Sequence, residues 1–139
     1  MVASLSWKEK LSFEVHTESG HTILLDAKPE VGGEGTGPSP MELVLVSLAG
    51  CTAMDVVSVL KKKRVDLRNL TIRVSGERAS EHPKYFTRID VQYDLEGKGI
   101  REDDVKQAVD LSKDKYCSVA AMLREKSAIS YRWNIVNTS

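Results

Sequence analysis

The pattern of hydrophobic positions changes several times along the chain, and each change predicts a different element. Short stretches of alternating apolar and polar residues precede residue 28, and alternation returns between residues 70 and 95 and again near the C-terminus. Residues 38–64 differ, because their apolar side chains would surround a helix instead of forming one stripe. The order of strands, long helix, two strands, two helices and a last strand predicts an α+β fold.

The long apolar stretch, Pro38–Arg64, carries helix signals at both ends. Ser39 is a suitable N-cap, Pro40 takes the first helical position, and Glu42 lies three residues after Ser39, which is the capping-box spacing. The stretch ends in three lysines and an arginine, whose positive charge suits the negative end of the helix macrodipole. We therefore predict one helix over nearly all of this stretch.

A helix that is apolar on every side is buried either inside a protein or in a membrane. The run from Met41 to Leu60 has the length of a membrane span, but Glu42 and Asp55 lie within it, and charges at membrane depth are costly. The N-terminal stretch lacks the apolar core of a signal peptide. These features favour a soluble, cytoplasmic protein whose strands wrap around a central helix.

The composition and the glycine-rich loop limit the kinds of partner that the chain is expected to bind. The chain of 139 residues suits a single domain over residues 1–139, and its 20 basic and 20 acidic residues give no indication of a nucleic-acid partner. Four glycines occur between Asp26 and Pro38, yet neither a P-loop nor a dinucleotide-binding motif is present, since Pro38 directly follows Gly37. We expect this loop to be a flexible connection to the helix.

The two cysteines, Cys51 and Cys117, are the candidates for chemistry, and they lie 117 − 51 = 66 residues apart. No C-x-x-C motif is present, and the three histidines have no ligand spacing to either cysteine, so no metal site is predicted. A lone cysteine on an apolar helix is most often a small core residue. Spacing alone leaves a core role and a reactive pair both open.

Two segments of the chain resemble the OsmC/Ohr superfamily, and most of all its YhfA-like branch: GPSPMELVLVSLAGCTAMDVVSVLKKKR and DLSKDKYCSVAAML. The resemblance extends from Trp7 to Val136. It implies an OsmC-like fold of antiparallel sheets wrapped around a long buried central helix, in an intertwined homodimer. It also implies reduction of organic hydroperoxides without a cofactor, with Cys51 as the peroxidatic thiol and Cys117 as the resolving thiol.

A peroxidatic cysteine reacts as a thiolate, whereas a free thiol is only a few per cent ionised at neutral pH. Peroxidase members of the superfamily supply an arginine from the N-terminal region, held by a glutamate. This chain has no arginine from Met1 to Met41, and Met41 occupies the glutamate position beside Glu42. We therefore expect Glu42 and a distant cation, for which Arg88 is one candidate, to support Cys51.

For Cys117, the expected helix start and the neighbouring Lys113 and Lys115 favour the thiolate. Three functions remain open on these grounds. The first is a two-cysteine peroxidase acting on small organic hydroperoxides and reduced by an external thiol. The second is a stress protein that binds an apolar ligand beside the central helix. The third is a thiol enzyme acting on disulfides or electrophiles. The expected partner in each case is a second copy of the chain, with no nucleic acid and no membrane.

Overall fold

The computed structural model describes residues 1–139 as two compact units, Met1–Val44 and Leu45–Ser139. The predicted α+β order of elements is confirmed. That the whole chain forms a single domain stays a prediction. The elements are β1 (Ala3–Glu9), β2 (Ser12–Thr17), β3 (Thr22–Leu25), α1 (Pro40–Lys62), β4 (Asp66–Arg78), β5 (Phe86–Lys98), α2 (Glu102–Leu111), α3 (Ser118–Leu123) and β6 (Ala128–Asn137).

The first unit contains an antiparallel sheet in the order β1-β2-β3 and the first turn of α1. Val15 lies at the centre of this sheet, opposite Leu5 on one side and Ile23 on the other. The alternation of apolar residues predicted these strands, because successive side chains of a strand point to opposite faces. The capping box is also present, since the Ser39 N–H donates to the Glu42 carboxylate at 2.8 Å and the Glu42 N–H donates to the Ser39 hydroxyl at 3.3 Å.

The glycine-rich loop is held in place by Asp26, so the expected flexible connection is not what the structure shows. The buried Asp26 carboxylate accepts hydrogen bonds from the Thr36 hydroxyl at 2.7 Å, and from the backbone N–H groups of Ala27, Thr36 and Glu34 at 2.7, 3.1 and 3.3 Å. These bonds, that of the Thr36 hydroxyl above all, lower the pKa of Asp26 to about 2. At Gly33 a Cβ would lie 2.0 Å from the Ala27 carbonyl oxygen, so this position requires glycine.

The second unit contains a sheet in the order β4-β5-β6. Strands β4 and β5 form an antiparallel pair, whereas β6 runs parallel to β5, with Val91 opposite Tyr131. The sequence-based expectation of antiparallel sheets is therefore correct for every pair except this one. The parallel pairing is possible because the connection between β5 and β6 is long and contains α2 and α3. A connection of this length can cross over the sheet, so that β6 begins at the same end of the sheet as β5.

The core of the second unit lies on one face of β5. The apolar residues that alternate along β5 are almost completely buried, and they are Ile89, Val91, Tyr93 and Leu95. Helix α2 adds a buried stripe at Val105, Ala108 and Val109, and α1 adds one at Leu48, Thr52, Val56 and Leu60. The regular spacing of four residues on α1 is the spacing of a single helix face.

Only that face of α1 is buried, although its sequence predicts burial on all sides. Val46, Met54 and Val57 remain 58%, 75% and 44% exposed. Helix α1 also has the length and mean hydropathy, 2.1, of a membrane-crossing helix, a property that core helices of soluble proteins share. Exposed apolar surface of this kind often marks a site of interaction.

Candidate functional site

The two cysteines meet in the second unit. Cys51 lies at the middle of α1, and Cys117 directly precedes α3. The two Sγ atoms and a carboxylate oxygen of Asp55 all lie within 4.8 Å of one another. Both cysteines are free thiols. The fold thus brings together two sulfur atoms that are 66 residues apart in the sequence, which spacing alone could not predict.

Local helix geometry explains this arrangement. Asp55 follows Cys51 by four residues, so both side chains project from the same face of α1. Cys117 is positioned by a π-helical turn over Ser112–Tyr116 that directly continues α2. The Cys117 N–H closes this turn by donating to the Ser112 carbonyl oxygen at 2.8 Å. Single π-helical turns inside or after α-helices are frequent at functional sites.

The Cys117 thiol is a buried group, only 3% exposed. Its sulfur accepts a hydrogen bond from the Ala120 N–H at 3.3 Å and so caps the N-terminus of α3. Burial nevertheless raises the pKa of Cys117 to about 11, and the hydrogen bond with Cys51 and the charge of Asp55 act in the same direction. At neutral pH the Cys117 thiol is therefore protonated.

The expectation that Lys113 and Lys115 favour the Cys117 thiolate is wrong. The expected helix start is present, but the two ammonium groups lie over aromatic rings instead. That of Lys113 is 5.9 Å from the centroid of the Tyr131 ring, and that of Lys115 is 5.4 Å from the centroid of Tyr116. Neither lysine is among the groups that act most strongly on the thiol. Removal from water therefore dominates the titration of Cys117.

A chain of hydroxyl groups leads from Asp55 into the core. The Ser112 hydroxyl lies 2.9 Å from an Asp55 carboxylate oxygen and 2.9 Å from the Thr52 hydroxyl, which lies 2.7 Å from the Tyr93 hydroxyl. Each hydroxyl carries a single proton. When the Ser112 hydroxyl donates its proton to the Asp55 carboxylate, the Thr52 hydroxyl donates to Ser112 and the Tyr93 hydroxyl donates to Thr52. Burial raises the pKa of Tyr93 and keeps its phenol neutral.

The two predicted supporting residues, Arg88 and Glu42, both have other partners. The exposed Arg88 side chain forms an ion pair with Asp90 at 3.4 Å. It projects from β5 on the face opposite Tyr93, because the two residues are an odd number of positions apart. The structure therefore does not bring Arg88 to the cysteine pair. Glu42 belongs to the first unit, and its carboxylate is engaged in the capping box.

Asp55 is the member of the cluster that lines a cleft of about 440 Å³. Its other lining residues come from the end of α1, from α2 and from the π-helical turn: Ser58, Val59, Lys62, Lys63, Gln107, Leu111 and Tyr116. One of the two lysines is partly neutralised, since the Lys63 ammonium lies 3.4 Å from an Asp104 carboxylate oxygen. Lys62 and Lys63, which the sequence analysis explained only as the positive end of a helix, thus also line the cleft beside Asp55.

Sequence reasoning missed Asp55, Ser112, Thr52 and Tyr93. The signal for Asp55 was present, because an acidic residue four positions after a cysteine lies on the same helix face. Nothing comparable marked Ser112 or Tyr93. Their positions depend on how α2 and β5 pack against α1, which local spacing does not encode.

Comparisons with known proteins place the chain in a family. The family model described as OsmC-like protein matches residues 33–132. Protein YhfA of Escherichia coli strain K12 is 41% identical over 137 residues, covering 98% of both chains. A crystal structure of a hypothetical protein from Aquifex aeolicus VF5 has a TM-score of 0.87 and 33% identity, covering 99% of this chain and 97% of that chain.

A third comparison concerns a more distant structure. An organic hydroperoxide resistance protein OsmC from Legionella pneumophila has a TM-score of 0.69 over 99% of this chain and 96% of its own. At 17% identity this similarity shows the fold alone. The family model and the 41% identity to YhfA go further, and on their evidence the chain belongs to the OsmC-like protein family.

Proposed function

We propose that this protein is a two-cysteine thiol peroxidase that reduces small organic hydroperoxides and is regenerated by an external thiol. The observation that carries the proposal is the pairing of two unlike thiols. Their Sγ atoms lie within 4.8 Å of each other, yet Cys51 is partly exposed and Cys117 is buried. A peroxide from solution would reach Cys51 first, and Cys117 would react second.

The chemistry balances with these two sulfurs. The Cys51 thiolate attacks one peroxide oxygen, the O–O bond breaks, and the alkoxide leaves as an alcohol after taking up a proton. Cys51 is then a sulfenic acid, which Cys117 attacks to form a disulfide with loss of water. The sulfurs would close from within 4.8 Å to a bond length of roughly 2.05 Å. Two equivalents of external thiol return the protein to the dithiol and leave as a disulfide.

Asp55 fits the role of proton acceptor in the second step. Because Cys117 is protonated at neutral pH, it must lose a proton as its sulfur attacks Cys51. The Asp55 carboxylate lies within 4.8 Å of that sulfur and is oriented by the Ser112 hydroxyl. In this mechanism Asp55 takes the thiol proton and delivers it to the departing hydroxide, which leaves as water.

Family membership supports a soluble, stress-related protein, and we extend the proposal to its partners. A second copy of the chain would cover the exposed face of α1, and the other partners would be the hydroperoxide and the reducing thiol. The balance of 20 basic and 20 acidic residues gives no reason to add a nucleic acid. Two free cysteines suit the reducing cytoplasm, which is the location we propose.

The test is oxidation of the reduced full-length chain with one equivalent of cumene hydroperoxide or tert-butyl hydroperoxide. Mass spectrometry should find an intrachain disulfide between Cys51 and Cys117. The Cys117→Ser variant should still consume one equivalent of peroxide but stop at the Cys51 sulfenic acid or oxidise further. The Cys51→Ser variant should consume almost none. Asp55→Asn should form the sulfenic acid normally and the disulfide slowly.

The single variants serve as controls for each other, because each removes one thiol from the same cluster. If the wild type stays reduced in excess organic hydroperoxide, the peroxidase proposal fails. Equal reactivity of the two cysteine variants would contradict the division of roles between the thiols. Circular dichroism of each variant separates these outcomes from a loss of fold.

A second candidate function is binding of an apolar ligand. A groove of about 490 Å³ runs along the exposed side of α1 and is lined by Ala53, Met54, Val57, Ser58, Lys61 and Leu70. A protein that binds acyl or aromatic molecules there would not consume hydroperoxide. Saturable binding of an apolar fluorescent probe that Met54→Lys abolishes, together with no peroxide consumption, would favour this function.

A further inference from the structure

The three groups of the cysteine cluster are also potential ligands for a metal ion. The Cys51 and Cys117 thiols and the Asp55 carboxyl all become anionic on deprotonation, and their ligating atoms lie within 4.8 Å of one another. Within one chain, deprotonation therefore leaves like charges facing each other.

The spacing of these atoms suits a small tetrahedral metal ion. With zinc–sulfur bonds of about 2.3 Å, two thiolates on one zinc lie roughly 3.8 Å apart, and a carboxylate oxygen lies slightly closer. The cluster reaches that geometry with side-chain adjustments of about 1 Å, because its atoms already lie within 4.8 Å. Two thiolates and one carboxylate are three ligands, which would leave the fourth position of a tetrahedral ion for water or another ligand.

The groups around the cluster already orient two of the three ligands. The Ser112 hydroxyl donates to an Asp55 carboxylate oxygen at 2.9 Å, leaving lone pairs on the carboxylate for a metal. The Ala120 N–H donates to the Cys117 sulfur at 3.3 Å, which stabilises negative charge on that sulfur. Partners of this kind fix ligand orientation in metal sites, and losing one typically weakens metal binding by roughly 10- to 100-fold.

We propose that the reduced protein binds one zinc ion per chain through Cys51 Sγ, Cys117 Sγ and an Asp55 carboxylate oxygen. Binding displaces the two thiol protons into solvent, so affinity rises with pH. The site does not depend on the proposed peroxidase activity. A disulfide between the same cysteines removes both thiolate ligands, so the oxidised protein does not bind the metal. The earlier expectation of no metal site considered only spacings between histidine and cysteine, whereas this site combines two thiols and a carboxylate.

Cobalt(II) is the probe for the first test, since it occupies zinc sites and its absorption spectrum reports its ligands. Titration of the reduced full-length protein should produce thiolate-to-cobalt charge-transfer absorption that saturates at one cobalt per chain. Visible bands of tetrahedral cobalt should accompany it, and zinc should displace both signals. The disulfide form, prepared with a chemical oxidant such as diamide, should give neither signal.

Variants test the three ligands one by one. Cys51→Ser and Cys117→Ser should each lose charge-transfer intensity. Asp55→Asn should weaken cobalt binding by more than roughly 10-fold, since loss of a group that merely orients a ligand already costs about that much. The matched control is Asp66→Asn, which makes the same change at an exposed aspartate that pairs with Arg68 at 3.0 Å. That control should bind cobalt like the wild type.

A second measurement needs no variant, so it remains decisive if a substitution prevents folding. Zinc should protect the partly exposed Cys51 of the wild type from alkylation by iodoacetamide, and a chelator should restore the reaction. Failure of excess cobalt to produce charge-transfer absorption would overturn the proposal, as would equal weakening by Asp55→Asn and Asp66→Asn. Hydroperoxide consumption is measured separately on metal-free protein, so failure of metal binding is distinguishable from failure of the peroxidase function.

Discussion

The hydroxyl groups of Thr52 and Tyr93 lie 2.7 Å apart and join the middle of α1 to the central strand β5 across 41 residues of sequence. Both residues are buried, Thr52 to 1% and Tyr93 to 0% exposure. The same Thr52 hydroxyl lies 2.9 Å from Ser112, which also contacts Asp55. The core of the second unit and the cysteine cluster therefore share one hydrogen-bond network.

Removing the Tyr93 hydroxyl should destabilise the protein. In Tyr93→Phe the buried Thr52 hydroxyl loses a partner, and an unmade buried hydrogen bond costs about 1–3 kcal/mol. The measurement is the free energy of unfolding in urea under reducing conditions. The matched control is Tyr131→Phe, which removes the same atom from the neighbouring ring, 6.5 Å away between centroids. Equal losses in the two variants would show that the bond to Thr52 contributes nothing of its own.

The raised pKa of Cys117 predicts how stability depends on pH. The folded thiol titrates at about 11, whereas the ordinary value is 9.0, so between these values the unfolded chain has released a proton that the folded chain retains. The contribution of this group is present in full below pH 9.0 and is lost as pH rises toward about 11. Urea unfolding of the reduced protein should therefore show falling stability over this range.

Other groups titrate in the same alkaline range, so the prediction concerns the difference in stability between the wild type and a variant without the Cys117 thiol. Cys117→Ala has no thiol at this position, and its stability should fall less steeply with pH than that of the wild type. Parallel curves for the two proteins above pH 9.0 would rule out a buried, protonated Cys117.

The elements that the sequence predicted well are those with local signals. The capping box of Ser39 and Glu42 fixed the start of α1, and period-two alternation identified β5 with its buried face. The parallel pairing of β6 with β5 was not predicted. The direction of a strand depends on the path of the connection before it, and the alternation of apolar and polar residues is the same for parallel and antiparallel strands.

The site was predictable only in part. The resemblance identified Cys51 and Cys117. It also implied an activating arginine, for which Arg88 was one candidate, but Arg88 pairs with Asp90 on the face of β5 opposite Tyr93. In the sequence Asp55 argues against a membrane span, but its position four residues after Cys51 also places it on the same helix face as that thiol. The sequence also suggested a thiolate at Cys117, because helix starts and lysines are visible in a sequence and burial is not.

The low pKa of Asp26 predicts acid sensitivity in the first unit. Its folded pKa of about 2 lies below the usual 3.8, so its contribution to stability is present above pH 3.8 and is lost as pH falls toward 2. Asp26→Asn should therefore be less stable than the wild type at pH 7, and the gap should shrink below pH 3.8. Limited proteolysis between residues 26 and 38 measures the local effect at each pH. A gap that stays constant with pH would contradict the assigned hydrogen bonds.

The exposed face of α1 predicts an obligate homodimer. Met54 is 75% exposed on the apolar helix α1. Leaving apolar side chains of this size in water costs free energy unless another surface covers them. Light scattering at micromolar concentration should give the mass of two chains, about twice 15.4 kDa. A stable, folded monomer at this concentration would refute the proposed assembly.

A charge placed on this face should break the dimer, whereas the same charge on another exposed methionine should not. Met54→Lys would bury an unpaired ammonium group in the interface, and a cost of only about 1.4 kcal/mol weakens association tenfold. Met122→Lys is the matched control, since Met122 on α3 is 69% exposed and the substitution is identical. Sedimentation of both variants should find Met54→Lys dissociating at least tenfold more readily than the wild type. Because a general effect of added charge would act on both variants, dissociation of Met122→Lys to the same extent would remove α1 from the interface.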